Sequence, residues 1–415
     1  MVNLGNIILS LSNAMDLANP ELFQHQLRTA FIVWEMGRVA GLNQQSLENM
    51  FSAAVLHDIG ANSVEEMQTL HRFEGQDTED HCIRGWLLFK SVPWLENEAS
   101  AVLYHHRPWE DWDESLENPA AFNAQAILLA DHVERWVDRN LYILHQHQQI
   151  TKRIKQLRGK TIHPQVVELF LEASEHEEFW LDLAAPRMYS LLLNRGPYNK
   201  ADVGLDMVEE VAKLFRNVID FRSSFTATHS SGVAAAARRI SRSHGFSREE
   251  VKLMEIAGYL HDVGKMAVPN HILEKPGKLD EVEMAVMKSH TYNTYEVLNS
   301  VNGMQQIAEW AAFHHEKLDG SGYPFHHDRH SLSLGARIMA VADVFTALTE
   351  RRPYREALPK DKVMSILDKM AYEDHLDRQF VDLVGQDFDR ISRLVADQQA
   401  RAGEFYQERI SCRLS

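Results

Sequence analysis

Cysteine is nearly absent from this chain. Its 415 residues include two, Cys82 and Cys412, too few for a disulfide framework or a thiolate-built metal site, so any metal is expected to use nitrogen and oxygen ligands. Long apolar runs are missing too. No stretch approaches the ~18 residues a membrane span needs, and the opening MVNLGNIILSLSNAMDL lacks both a basic leader and a small-residue cleavage site. It reads as a first helix and not as a signal peptide. A cytoplasmic protein that does not engage a membrane is the expectation. Positive charge is scarce: 43 Lys and Arg against 59 Asp and Glu leave a net charge of −16. Nonspecific binding to polymeric nucleic acid needs a basic surface that displaces counterions, and is excluded on that ground. A small anionic nucleotide stays compatible, with metals or a few arginines as local positive charge.

Hairpin signals and alternating apolar runs are also few. What the chain has is helical periodicity: residues 208–221, 251–260 and 336–348 place apolar side chains at spacings of three and four. The fold class predicted is all-α, and the length favours two domains.

Histidine is abundant, with 22 copies, and ten of them fall into two matching series. His25, His57-Asp58, His81, His105-His106 and Asp131 recur in order as His229, His261-Asp262, His290, His314-His315 and Asp343. The 32-residue step from His25 to His57 returns from His229 to His261, and the 24-residue step from His81 to His105 returns from His290 to His314. Loop insertions account for the unequal intervals. Past the last aspartate, Ile162-His163-Pro164-Gln165-Val166-Val167 resembles Leu376-Asp377-Arg378-Gln379-Phe380-Val381. The chain is a duplication, with residues 1–195 and 205–415 as its two domains and a boundary at the helix-breaking Gly196-Pro197.

The richest stretch is His314-His315-Glu316-Lys317-Leu318-Asp319-Gly320-Ser321-Gly322-Tyr323-Pro324. It sets two imidazoles at the end of the apolar run 307–313, beside a Gly-rich turn that can approach a ligand closely. Upstream lies His261-Asp262-Val263-Gly264-Lys265. Side chains of adjacent helical residues point about 100° apart, so His261 and Asp262 serve different metals only if one of them bridges, as a carboxylate can. Together the two stretches resemble the HD-GYP family of bacterial cyclic dinucleotide phosphodiesterases, over about residues 205–390.

The resemblance implies a dinuclear site with Asp262 holding both metals. His229, His261 and Asp343 would complete one sphere, and His290, His314 and His315 the other. Such ligands suit Fe, Mn, Ni, Co or Zn, and the family points to two divalent ions of Fe or Mn. Metals ~3.5–4 Å apart would lower the pKa of a shared water for in-line attack on phosphorus, giving a linear dinucleotide with a 5′-phosphate. His261 and Asp262 would be catalytic, with Lys265 both catalytic and substrate-binding. Arg352 and Arg355 would grip phosphate, and Gly322 and Tyr323 would line the nucleotide. Three-metal members carry a glutamate four residues before the first histidine; here Phe225 stands there, so two metals are expected.

The first half keeps the ligand types, including Glu21 four residues before His25, but not the phosphate grip. Ala61 replaces the lysine, Arg107-Pro108-Trp109 replaces the glycine turn, and no Arg-Pro-Tyr-Arg follows Asp131. A degenerate HD lobe that supports packing, regulation or homodimer formation is the expectation, whether or not it binds metal. Family substrates include 3′,3′-cGAMP and c-di-GMP, and a two-lobed layout resembles the cGAMP-degrading branch. Two other readings are a noncatalytic signalling module of the HDOD kind and an HD phosphohydrolase of mononucleotides or ppGpp. The full ligand set argues against the first, and the Gly320-to-Pro324 turn with Arg352 and Arg355 against the second.

Overall fold

The computed structural model describes residues 1–17, 23–61, 63, 65–67, 70, 79–222, 228–350 and 356–411, without the side chains of 221 and 407–411. Glu21, Phe225, Arg352, Arg355 and Cys412 lie outside the described residues. The all-α expectation holds. Apolar periodicity at 208–221 becomes helix Leu205–Arg222, that at 251–260 becomes Arg248–Leu260, and that at 336–348 becomes Leu334–Thr349. Their starts follow capping chemistry: Ser247 and Glu250 form a reciprocal capping box, and Ser333 accepts from the Ala336 amide. The described β-structure is one two-stranded ladder, Val2–Asn3 with Asp202–Val203, and two isolated bridges, Arg158 with Ile162 and Asp319 with Asp328.

The chain divides into a first unit, Asn3–Asp202, and a second, Met1–Val2 with Val203–Ser415. Helix Met188–Arg195 stops at Gly196, a few residues before that division. Each unit buries its own core, with Phe31, Phe51, Phe89, Phe170 and Trp180 in the first, and Phe215, Phe345 and Phe380 in the second. Burying each such ring stabilises by about 1.5–3 kcal/mol.

These cores fix where helices end, and helix ends carry most of the polar series. His229 opens helix His229–His244, His261 follows Arg248–Leu260, and His314-His315 lie in a 3-10 turn after Gln305–Ala312. His290 and Asp343 come from within Glu281–Asn299 and Leu334–Thr349. In the first unit His25 opens His25–Val39, His57-Asp58 follow Gln44–Val55, and His81 and Asp131 sit in Glu79–Lys90 and Pro119–Trp136. One contact sets the spacing in both. A Cβ at Gly264 would meet the His290 carbonyl oxygen at 1.9 Å, and one at Gly60 the His81 carbonyl at 2.0 Å. Only glycine lets the His-Asp turn lie flat on the helix that bears the next histidine.

Candidate metal centre

In the second unit three ring nitrogens are committed to the backbone. His261, His290 and His314 each set Nδ1 against the carbonyl three residues earlier, on Gly258, Met287 and Ala311, at 2.8, 2.6 and 2.7 Å. A carbonyl only accepts, so Nδ1 donates and Nε2 of the neutral ring keeps its lone pair. Burial, the dominant cause, pushes His290 down to about 3 and His314 well below the usual histidine range, so both rings are neutral. Their Nε2 atoms then face each other at 3.4 Å, lone pair to lone pair. His261 Nε2 and Asp262 Oδ1 are buried without a hydrogen bond. Acceptors gathered with no donor between them fit a cation.

Carboxylates surround these rings. Asp262 Oδ1 lies 3.5 Å from His290 Nε2 and 4.0 Å from His314 Nε2. Its Oδ2 is 3.2 Å from His261 Nε2 and accepts a 2.7 Å hydrogen bond from Lys265 Nζ. Burial raises the Asp262 pKa, but the electrostatic pull of its His261 and Lys265 neighbours outweighs it and holds the group well below the carboxylate range. His229 has a different balance. Its Nε2 is 3.0 Å from Asp343 and its Nδ1 3.3 Å from Glu350. Burial lowers its pKa, yet these carboxylates win and push it up to about 10.

All seven residues expected to be ligands therefore come together. They form three overlapping groups, His229 with His261 and Asp343, His261 with Asp262 and His314, and His290 with His314 and His315, each with candidate ligand atoms within 4.8 Å of one another.

The glycine-rich turn sits beside this cluster. Tyr323 donates its amide to the His315 carbonyl at 3.3 Å, and its ring centroid is 5.0 Å from that of His315. Lys288 Nζ stands 5.3 Å from the Tyr323 ring centroid. Gly322 has another reason than close approach to a ligand. A Cβ there would meet Glu316 Cα at 2.5 Å and the His315 carbonyl at 2.7 Å, so the turn folds back on its own His-Glu segment.

Some residues escaped the sequence reading. Glu316 is buried and accepts the amides of Phe325 and His327 at 2.7 and 3.0 Å, tying down both sides of the turn. Its place directly after the His pair was the available signal. Glu350 backs His229, as Glu134 backs His25 at 2.7 Å. Asp220 and Asp16 each precede the first histidine of their repeat by nine residues, and burial pushes both up to about 8.

The first unit gathers its series as well. His57 and His105 commit Nδ1 to the Ala54 and Val102 carbonyls at 2.8 and 2.6 Å, and His81 Nε2 faces His105 Nε2 at 3.3 Å. Two differences matter. Asp131 accepts from Arg135 one helical turn on at 2.9 Å, where the second unit has Ala347 after Asp343. Cys82 Sγ lies 3.6 Å from His81 Nε2, so a sulfur stands among the candidate donors of this cluster beside the expected nitrogen and oxygen atoms. Two cysteines in a chain exclude a cage of thiolates, but not a single sulfur among histidines.

Comparison with known proteins bears on both halves. Family models described as HD domain match residues 22–136 and 213–380. Over 399 residues the chain is 30% identical to the 3′3′-cGAMP-specific phosphodiesterase 1 of Vibrio cholerae, covering 92% of this chain and 91% of that protein. It is 43% identical over 161 residues to a cyclic di-GMP phosphodiesterase response regulator of Xanthomonas campestris, covering 38% of this chain and 42% of that one. The crystal structure of a cyclic GMP-AMP specific phosphodiesterase of V. cholerae, 23% identical, shares the fold with a TM-score of 0.63 over 93% of this chain and 97% of that one. No described helix is long and apolar enough to cross a membrane. With a His-Asp constellation in each repeat and a relative matched along most of both chains, this chain belongs to the HD-domain phosphodiesterase family, whose chemistry is metal-dependent.

Proposed function

We propose that the second unit hydrolyses a 3′,3′-cyclic dinucleotide to a linear dinucleotide with a 5′-phosphate, with 3′,3′-cGAMP as the leading substrate and c-di-GMP as the second. The observation that carries this is the buried histidine and carboxylate cluster around Asp262, in which His261 Nε2 and Asp262 Oδ1 have no hydrogen-bond partner, flanked by the Tyr323 turn. The cGAMP preference is supported by the likeness to the cGAMP-specific relative along the whole chain, against a partial one to the cyclic di-GMP enzyme.

Two divalent ions, Fe or Mn by preference, would be held by His229, His261, Asp262 and Asp343 on one side and Asp262, His290, His314 and His315 on the other. When bound they supply Lewis acidity to a water and to the phosphate. The chain's own groups do the rest. Nδ1–H bonds to the backbone hold three imidazoles in the neutral, correctly aimed tautomer. Lys265, a half-buried point charge beside Asp262, steadies a non-bridging phosphate oxygen. Arg352 and Arg355 are assigned to the phosphates from sequence alone. Tyr323 is assigned to the base, and Glu316 keeps its turn in position. The first unit, lacking a lysine at 61 and a glycine turn, supports or regulates this lobe.

Stripping the full chain of metal should abolish turnover of 3′,3′-cGAMP, and Mn(II) or Fe(II) should restore it. Hydrolysis by the stripped chain would contradict the reading. Metal uptake should also be pH-dependent. His229, at about 10, is protonated at neutral pH and must lose that proton to ligate. Affinity therefore rises with pH by about tenfold per unit below pH 10, with about one proton released. Indicator-dye titration in weak buffer measures this, and uptake without proton release would remove His229 from the ligand set.

A further inference from the structure

We propose that the first unit holds a divalent metal ion of its own, with the Cys82 thiolate as a ligand beside His81, His105 and Asp58. It concerns a different cluster from the hydrolytic centre and does not rest on it. His81, Cys82, His105 and His106 form a group whose candidate ligand atoms lie within 4.8 Å of one another. Distances bear on the kind of ion. A tetrahedral site with metal–nitrogen bonds of about 2.0–2.1 Å and a metal–sulfur bond of about 2.3 Å has edges of roughly 3.3 Å between nitrogens and roughly 3.6 Å from nitrogen to sulfur. His81 Nε2 and His105 Nε2 are 3.3 Å apart, and Cys82 Sγ is 3.6 Å from His81 Nε2 and 3.7 Å from His105 Nδ1. Asp58 Oδ1 lies 3.5 Å from His81 Nε2 and 3.6 Å from His105 Nε2.

The surroundings leave these atoms to one another. His81, Cys82, His105 and Asp58 are 1%, 4%, 0% and 4% exposed. Asp58 Oδ1 and His106 Nε2 have no hydrogen bond, and His105 Nδ1–H is spent on Val102, which turns its Nε2 to the cluster. The second unit has no equivalent sulfur. Thr291 follows His290 as Cys82 follows His81, and its hydroxyl donates to the Lys288 carbonyl of its own helix. Asp131, drawn to Arg135, leaves the other end of the first cluster less open to a cation. One tetrahedral ion with a sulfur ligand suits Zn(II) better than the harder ions proposed for the second unit. On binding, the Cys82 thiol proton goes to solvent and the thiolate bonds the metal.

Cobalt(II) tests this in the full-length chain carrying Asp262→Ala, which removes the second unit's centre. Loading should give a thiolate-to-cobalt charge-transfer band in the near ultraviolet, with the intense visible bands of tetrahedral cobalt. The thiolate band should vanish in Cys82→Ser and persist in Cys412→Ser. No such band, or one that Cys82→Ser retains, overturns the proposal. A measurement that needs no change at Cys82 uses the Cys412→Ser chain, whose one thiol should react with a thiol reagent at least tenfold more slowly with Zn(II) bound than after chelation. Equal rates would likewise overturn the proposal.

Discussion

Replacing Asp262 with alanine lowers cyclic dinucleotide hydrolysis to background while the protein stays folded. Asp262 is the carboxylate whose two oxygens face His290 and His314 on one side and His261 and Lys265 on the other. Without it neither half of the cluster closes, and Lys265 loses its counter-charge. The fall should exceed the ~10²–10³-fold that removal of a single charge-stabilising donor costs, and the second unit's metal should be lost with it. Asp58→Ala is the informative partner. Asp58 holds the same place in the first repeat, but Ala61 and Arg107-Pro108 stand where the second repeat has Lys265 and the glycine turn. Hydrolysis by Asp58→Ala should stay within a few-fold of wild type. If both variants are folded and inactive, the first unit is a partner in catalysis, and the division of labour proposed here is wrong.

Gly264→Ala should cost the second unit about 3 kcal/mol of stability, the upper end for overpacking a closely packed site. Its added carbon would stand 1.9 Å from the His290 carbonyl oxygen and 2.7 Å from the Thr294 amide nitrogen. Both are backbone atoms of one helix, so no side-chain rotation relieves the clash. The Gly264 amide also donates to Thr294 Oγ1 at 3.0 Å, and that bond must lengthen. For a unit of this size the loss corresponds to a fall of roughly 6–12 °C in Tm. Activity should fall too, because the same contact spaces Asp262 from His290. Gly204→Ala serves as control, since a Cβ there meets nothing within 4 Å. Calorimetry in which both variants melt alike would show that the His-Asp turn is not pinned as described.

The histidine series was legible because metal ligation demands particular residue types and the duplication preserved their spacing. Helices were legible through their apolar periodicity, which reflects the one-sided burial of each. What escaped was whatever depends on contacts between distant segments. Gly322 looked like room for a ligand, yet its space is taken by the backbone of residues 315–317. Glu316 was marked only by its place after the His pair, which does not reveal the two amides it receives from nine and eleven residues further on. Cys82 was discounted by composition, although what counts is that it follows His81 on a helix facing His105. Asp16 and Asp220 repeat at the same offset as the histidines, but an isolated acid in a helical stretch carries no mark of burial until the chain is folded.

The most direct test of the second unit's role is product analysis. The Mn(II)- or Fe(II)-loaded full-length chain is incubated with 3′,3′-cGAMP and with c-di-GMP, and the products are identified by mass and by the position of their phosphate. A linear dinucleotide with a 5′-phosphate, formed faster from 3′,3′-cGAMP and absent with Asp262→Ala, is the predicted result. Both cyclic dinucleotides surviving intact with the metal-loaded wild-type chain, or cleavage that continues undiminished in folded Asp262→Ala, would contradict it.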